Sequence, residues 1–449
     1  MVKRMTSYCF LLLSGTLLLT ACNNQPAASR EGILFRNALL IDGTGNAPAE
    51  HTDILVQGDT IAAIGQQLDT NGVQLIDLTG KTIMPALISA HTHVGTLKGT
   101  QTIPENYTRE NILAQLNKYA AYGVLHIQAM GTDRPLLFEN GLYDSLKNGL
   151  NPGARLLSAG YGFGVPNGAP PLNFAMDRVF RPATVAQIPA EMDSLDKLKT
   201  DLVKIWVDDF AGKFIKMDTA IYHAIISQAH QRQQRVVAHA YYLSDVRRLV
   251  ADGINIIGHS IRDSVIDDAL VQEMKSKQVA YIPTLSLDEF AYIYARKPEW
   301  INDEFFKRSL EPGVYEMITS PKYQEDLKNS PAYARNAAAF ETALKNLKKL
   351  FDAGILVALG TDSGATPIRA QGFSEHLELE LMVQAGLTPL QAITVATKNA
   401  AELLHISDRF GTLQKGKVAD LLIINGNPAD NIRSTRSIEA VYKAGMLLK

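Results

Sequence analysis

The sequence predicts an α/β protein: a (β/α)8 barrel of the TIM type, with a small β-sandwich domain built from both ends of the chain. Three observations lead there. Between residues 85 and 404, eight short apolar runs alternate with longer helical patterns, as a closed parallel sheet with crossover helices requires. Short β-type runs broken by turns fill residues 32–84, and the same style returns in 405–449. The length of 449 residues suits a large barrel with one small companion.

The first 22 residues stand apart from the fold. Lys3 and Arg4 precede an apolar run from Tyr8 to Leu19, too short to span a bilayer as a mature helix. Leu19-Thr20-Ala21-Cys22 resembles a bacterial lipobox. That resemblance implies lipidation of Cys22 and an exported lipoprotein, held by its anchor alone on the periplasmic face of the outer membrane. An ordinary secretory signal cut near Ala21 is the alternative. Residues 23–31 read as a polar tether. Loss of Cys9 with the signal would leave a mature chain without a disulfide, in a compartment that permits one.

In 32–84 the β-type runs are Ile33-Leu34-Phe35, Asp53-Ile54-Leu55-Val56 and Ile61-Ala62-Ala63-Ile64, with turns at Gln57-Gly58-Asp59 and Leu78-Thr79-Gly80-Lys81. Asp420-Leu421-Leu422-Ile423-Ile424 and Ala440-Val441-Tyr442-Lys443 continue the style in the tail. Neither end can bury a sheet face alone, so the two are expected to join. The barrel runs are 87–93, 124–130, 155–159, 202–207, 235–239, 254–259, 280–285 and 355–361, with helices over 218–234 and 332–352. Tyr122-Gly123, Asp252-Gly253 and Ala353-Gly354 read as helix stops before strands. Two long loops, 160–187 and the aromatic-rich 286–330, follow strands and should rise over the C-terminal face, as a substrate wall or lid, or as decoration and oligomer contact.

A net charge of −2 lacks the basic excess that nucleic-acid binding requires, which sets that partner aside. The residues that carry chemistry cluster at strand ends. His91 and His93 are two apart at the end of the first run, so both imidazoles face the same way and can share one Zn²⁺-like ion. Lys204 alternates with Val203 and Ile205 and points into the barrel, where an unpaired ammonium is costly. Made neutral by burial it can take up CO2 as a carbamate, an anion able to bridge two metals; a salt bridge to an inward acid is the alternative. His239, His259 and Asp362 end the fifth, sixth and eighth runs.

Met84-Pro85-Ala86-Leu87-Ile88-Ser89-Ala90-His91-Thr92-His93 resembles the first-strand signature of the amidohydrolase superfamily, and Gly411-Thr412-Leu413-Gln414-Lys415-Gly416-Lys417-Val418-Ala419-Asp420-Leu421 its return into the small domain. The similarity is strongest to the imidazolonepropionase-like group, with its dipeptidases, prolidases and carboxypeptidases. The resemblance implies one divalent ion on His91, His93 and Asp362 and another on His239 and His259, of the zinc type. Carboxylated Lys204 and a hydroxide would bridge them. The chain departs from the usual Gly-Leu-Ile-Asp at Ala86-Leu87-Ile88-Ser89, and from Arg-Asp at Gln128-Ala129.

The chemistry expected is hydrolysis of a small-molecule amide, either a peptide bond or an N-acyl amino acid. Asp362 would move the proton. Tyr241 or Tyr242 would donate to the oxyanion, or pack as a buried aromatic. Arg262 would hold a substrate carboxylate or pair with Asp263 or Asp267. His376 is a further candidate for substrate contact, against helix surface or support for the site, while His126 is expected to pack inside the barrel. Lactonase or phosphotriesterase chemistry on the same centre is one alternative, and a solute-binding envelope lipoprotein is another. A deaminase fits less well, because Ala240-Tyr241-Tyr242-Leu243 supplies no acid after His239.

Overall fold

The computed structural model describes residues 32–172 and 175–448. The signal segment 1–22 with Cys22, and the whole of the tether 23–31, lie outside the described residues. The small domain takes strands β1 (Ile33–Leu40), β2 (Ala49–Gln57), β3 (Thr60–Gly65), β4 (Gln74–Asp77) and β5 (Lys81–Pro85). Next come β6 (Leu87–Thr92) and a small hairpin, β7 (Leu97–Lys98) with β8 (Gln101–Thr102). They are followed by β9 (Val124–Ala129), β10 (Arg155–Ser158), β11 (Val203–Trp206), β12 (Val236–His239), β13 (Ile256–Gly258) and β14 (Ala280–Ile282). The tail adds β15 (Leu421–Asn425), β16 (Ile438–Lys443) and β17 (Met446–Leu447).

Head and tail join, as expected, but as one eight-stranded sheet, β17-β16-β15-β5-β1-β2-β3 with β4 beside β1, where a two-layered sandwich was expected. The reason is β1, whose first half pairs with β4 (Ile33↔Gln74) and whose second half pairs with β5 (Leu39↔Thr82). β15 runs antiparallel to β5, with Leu421 opposite Pro85. Phe35, Ile54, Ile83, Leu421 and Ile423 close the sheet's apolar face, the burial that alternating side chains make possible.

The parallel strands follow chain order through β6-β9-β10 and β11-β12-β13-β14. Backbone bonds at Phe163 join β10's continuation to β11, from Phe163 N to Lys204 O at 2.7 Å and from Trp206 N to Phe163 O at 2.9 Å. Segment 355–363 completes the ring between β14 and β6. Ala358 N donates to Tyr281 O at 3.0 Å, and Ala90 N to Leu359 O at 2.7 Å. This eighth segment was expected to be a strand, but it pairs only through isolated bridges at Val357 and Ser363. It lies so close to its neighbours that a Cβ on Gly360 would sit 2.4 Å from Ile282 and 2.7 Å from His91. It then turns left-handed at Asp362 (φ 58°), which ends any regular ladder.

Helices Thr219–Gln231 and Tyr333–Asp352 are among those that pack outside the ring. The aromatic stretch 286–330 is a string of short helices rather than an open loop. Phe290, Tyr294 and Phe306 are fully buried and pack with Trp300. They form core and do not make a substrate wall, which corrects the reading from composition. Among the described residues no helix is long and apolar enough to cross a membrane.

Candidate active site

The C-terminal ends of the strands converge on one cleft. β6 delivers His91 and, just beyond it, His93. Their Nε2 atoms lie 3.2 and 2.9 Å from Asp362 Oδ1, and one donor atom from each of the three falls within 4.8 Å of the others. His93 Nδ1 meets Thr132 Oγ1 at 2.7 Å, and the second oxygen of Asp362 pairs with Arg369. His91 is completely buried, and neither ring nitrogen makes an aligned hydrogen bond.

On the other side stand Lys204, His239 and His259. The His259 ring centroid is 4.4 Å from that of His91 and 4.3 Å from that of His239, so the three imidazoles form a row. Lys204 is 1% exposed, and its Nζ has no hydrogen-bond partner. It points inward as alternation requires, lying 5.2 Å from the Trp206 ring centroid. His259 Nδ1 is 3.0 Å from Thr284 Oγ1, and His239 Nε2 is 3.2 Å from Asp208 Oδ2. Three residues around the cleft (Asp362, His259 and Thr284) hold left-handed backbone at φ 58°, 73° and 52°. Each such turn costs about 1–3 kcal/mol, strain that concentrates where side chains must be aimed.

Burial sets the protonation states. It pushes His91 down to about 3 and holds His259 well below and His239 below the ordinary imidazole value, so all three are neutral, the state in which imidazole binds a cation. Burial also brings Lys204 down to about 7. Burial opposes the charge on Asp362, but Arg369, His93 and His91 outweigh it and hold the carboxyl well below its usual range.

Of the other candidates, Tyr241 and Arg262 line the cleft of about 590 Å³. Tyr242 does not. Its hydroxyl donates to Asp209 at 2.9 Å and its ring lies under Lys216. Arg262 pairs with Asp288, and with neither Asp263 nor Asp267. Those two are occupied elsewhere, accepting from Leu243 N and Leu270 N. His376 is excluded from substrate contact and from the surface alike. It is buried, with Nδ1 3.0 Å from Thr435 Oγ1 and Nε2 2.9 Å from Tyr122 O. His126 packs at the opposite end of the strands, 3.8 Å from Asp420.

Reading the sequence missed Asp208, Thr132, Thr284 and Arg369. Asp208 has a signal, since it stands four residues past Lys204, just beyond the strand end. Arg369 has none, because its pairing with Asp362 depends on the turn between them. The cleft also gathers an apolar wall of Pro170, Pro171, Met176, Phe210 and Phe214, and two cations, Lys213 and Arg335.

A family model described as "Amidohydrolase family" matches residues 82–448. The ochratoxinase of Aspergillus niger is 28% identical over 233 residues, 50% of this chain and 40% of the fungal protein; the match thus spans under half of that relative's length. The imidazolonepropionase of Geobacillus sp. (strain WCH70) is 22% identical over 404 residues, 84% of each chain. Among solved structures, a Xaa-Pro dipeptidase with bound methionine in its active site aligns with a TM-score of 0.72. It is 24% identical over 93% of this chain and 99% of its own, a likeness of fold.

Proposed function

This chain belongs to the amidohydrolase family, and from that premise we propose that it is a hydrolase that cleaves an amide, in a peptide or an N-acyl amino acid, at a centre of two divalent cations. His91, His93 and Asp362 would hold one cation, His239 and His259 the other, with Lys204, carboxylated by CO2, between them. The observation that carries this reading is Lys204 Nζ, buried without a hydrogen-bond partner among neutral imidazoles. A buried ammonium left unpaired costs several kcal/mol, on the order of a broken buried ion pair. Conversion to a carbamate removes that cost and creates an anion suited to a cation. Bound cations would polarise the scissile carbonyl and lower the pKa of water from about 15.7 toward neutrality.

The chain's own groups do the rest. Asp362, kept ionised, accepts the proton of the attacking water and returns it to the departing amine nitrogen as the C–N bond breaks. Tyr241, free of the partner that occupies Tyr242, offers its hydroxyl to the developing oxyanion. Arg262 flanks the cleft with its charge answered by Asp288. Lys213 and Arg335 have no ion-pair partner among the described residues and favour a carboxylate on the substrate. Trp206, Phe210 and Phe214 exclude water beside them. The lipobox-like segment ending at Cys22 would anchor this domain to the membrane.

Metal analysis of the purified protein should find two zinc-type ions per chain, and a screen of N-acyl amino acids and dipeptides should find turnover that Lys204→Ala abolishes. Equal turnover by both proteins removes the role given to Lys204. Turnover confined to lactones or phosphotriesters replaces the amide reading, and a metal-free protein with tight ligand binding replaces the enzyme. Retention of Cys22→Ala in the membrane fraction would end the anchor reading.

A further inference from the structure

Behind the His91, His93 and Asp362 group lies a carboxylate that no step above uses. Glu375 stands in the first turn of the helix Phe373–Gln384, fully buried, with no ion-pair partner among the described residues. Its Oε2 accepts from Gly372 N at 2.9 Å, the ordinary service of an acid at a helix start. Its Oε1 does something else. It accepts from Thr361 Oγ1 at 2.7 Å, from Ser363 Oγ at 2.9 Å and from Ser89 Oγ at 3.1 Å. Tyr119 extends the network, its hydroxyl 2.6 Å from Ser363 Oγ.

The identity of these donors matters. Ser89 lies on β6 two residues before His91, next to the register irregularity that falls between Ser89 and Thr92. Thr361 and Ser363 bracket Asp362, whose left-handed backbone needs support from outside. One oxygen thus grips both chain segments that must meet for three donor atoms to converge. A buried carboxylate without a cation is expensive, and capping alone would not require a second oxygen turned toward three hydroxyls.

We propose that Glu375 is a positioning residue: acting through Ser89, Thr361 and Ser363, it sets the distance between β6 and the Asp362 turn so that one cation can touch His91, His93 and Asp362. This rests on the cation-binding reading above. Groups that orient metal ligands typically contribute about 10–100-fold to metal affinity.

The test titrates metal-free protein with Zn²⁺ against a chromophoric chelator, alongside far-UV circular dichroism and kcat and KM on any amide turned over. Glu375→Leu should weaken one of the two ions by about 10–100-fold and leave the other at wild-type affinity, with kcat reduced and KM held. Glu375→Gln, nearly isosteric, should lose about tenfold, because its amide nitrogen must face Gly372 N–H or the three hydroxyls. Ser89→Asp/Glu375→Leu moves the carboxylate to the strand side of the same hydroxyls and should regain much of the lost affinity. Wild-type affinity for both ions in folded Glu375→Leu and Glu375→Gln overturns the proposal, as does equal weakening of both ions accompanied only by a lower melting temperature. If Glu375→Leu fails to fold, the glutamine variant decides. A wild-type protein that binds no Zn²⁺ would instead overturn the cation reading beneath it.

Discussion

The two ends of the strand ring hold nearly the same inventory of buried polar groups and use it in opposite ways. At the cleft stand Lys204, Asp362 and His91, with Arg369 half-buried beside them; at the end facing the small sheet stand Lys443, Asp420, Arg155 and His126. Lys443 Nζ donates to the carbonyls of Gly149, Asn151 and Gly153. Arg155 pairs with Asp420 Oδ2 at 2.6 Å, and Ala444 N donates to Asp420 Oδ1 at 2.8 Å. Of those four side chains, only His126 leaves a buried atom without a partner, its neutral Nε2. At the cleft end the ammonium itself has no hydrogen-bond partner, and the groups open onto a cavity. Buried charge alone therefore does not mark a site. What marks it is a charge whose partner is missing beside space for one.

The sharpest test exchanges the carboxylates. Asp362→Asn should lower kcat by about 10²–10⁴-fold, the usual contribution of a placed proton acceptor, without unfolding the protein. Asp420→Asn should do the reverse. Breaking a buried pair from one side costs about 3–5 kcal/mol, seen as a fall in the urea midpoint, while kcat per folded molecule stays within about twofold. If both variants lose activity while remaining stable, the contrast between the two ends is gone.

The lysines extend the comparison at a smaller scale. Lys443→Met strands three carbonyls and should cost about 3 kcal/mol of stability. Lys204→Met removes a charge with nothing to bond, so the metal-free protein should be at least as stable as wild type, even though its activity is lost. A marked drop in the melting temperature of metal-free Lys204→Met would mean that this lysine has a structural partner after all.

How far this contrast can be read from the sequence depends on how local each signal is. Alternation of side chains along a strand placed Lys204 inward, and the position of His91, His93, His239 and His259 after apolar runs put them at one rim. Both are patterns of a few adjacent residues. Arg262's pairing with Asp288, Arg369's hold on Asp362 and Glu375's grip on Ser89 join residues that the fold, and not the local chain, brings together. The aromatic stretch misled for a related reason. Phe290, Tyr294 and Phe306 look the same in sequence whether they line a cleft or fill the space beneath it. His376 was misplaced because the helix Phe373–Gln384 is covered on several sides, by Tyr122 and Thr435 among others.

Glu289 sharpens the comparison further, because it lacks a partner at the cleft end without reaching the cleft. It is 8% exposed and its Oε2 has no hydrogen bond. Burial, helped by the nearby charge of Glu380 and opposed by Arg436, raises its carboxyl to about 7 from 4.5. Between those values the folded protein keeps a proton that the unfolded chain has released, so stability falls as pH rises through this window, and the full loss persists above about pH 7. The loss is on the order of 3 kcal/mol. Glu289→Gln should therefore match wild type near pH 4.5 and exceed it by about that amount at pH 8 in chemical denaturation, with kcat unchanged. If its advantage does not grow with pH, the side chain is solvated or paired in solution. If instead kcat changes, a missing partner marks function even without a cavity, and the space beside Lys204 loses its meaning.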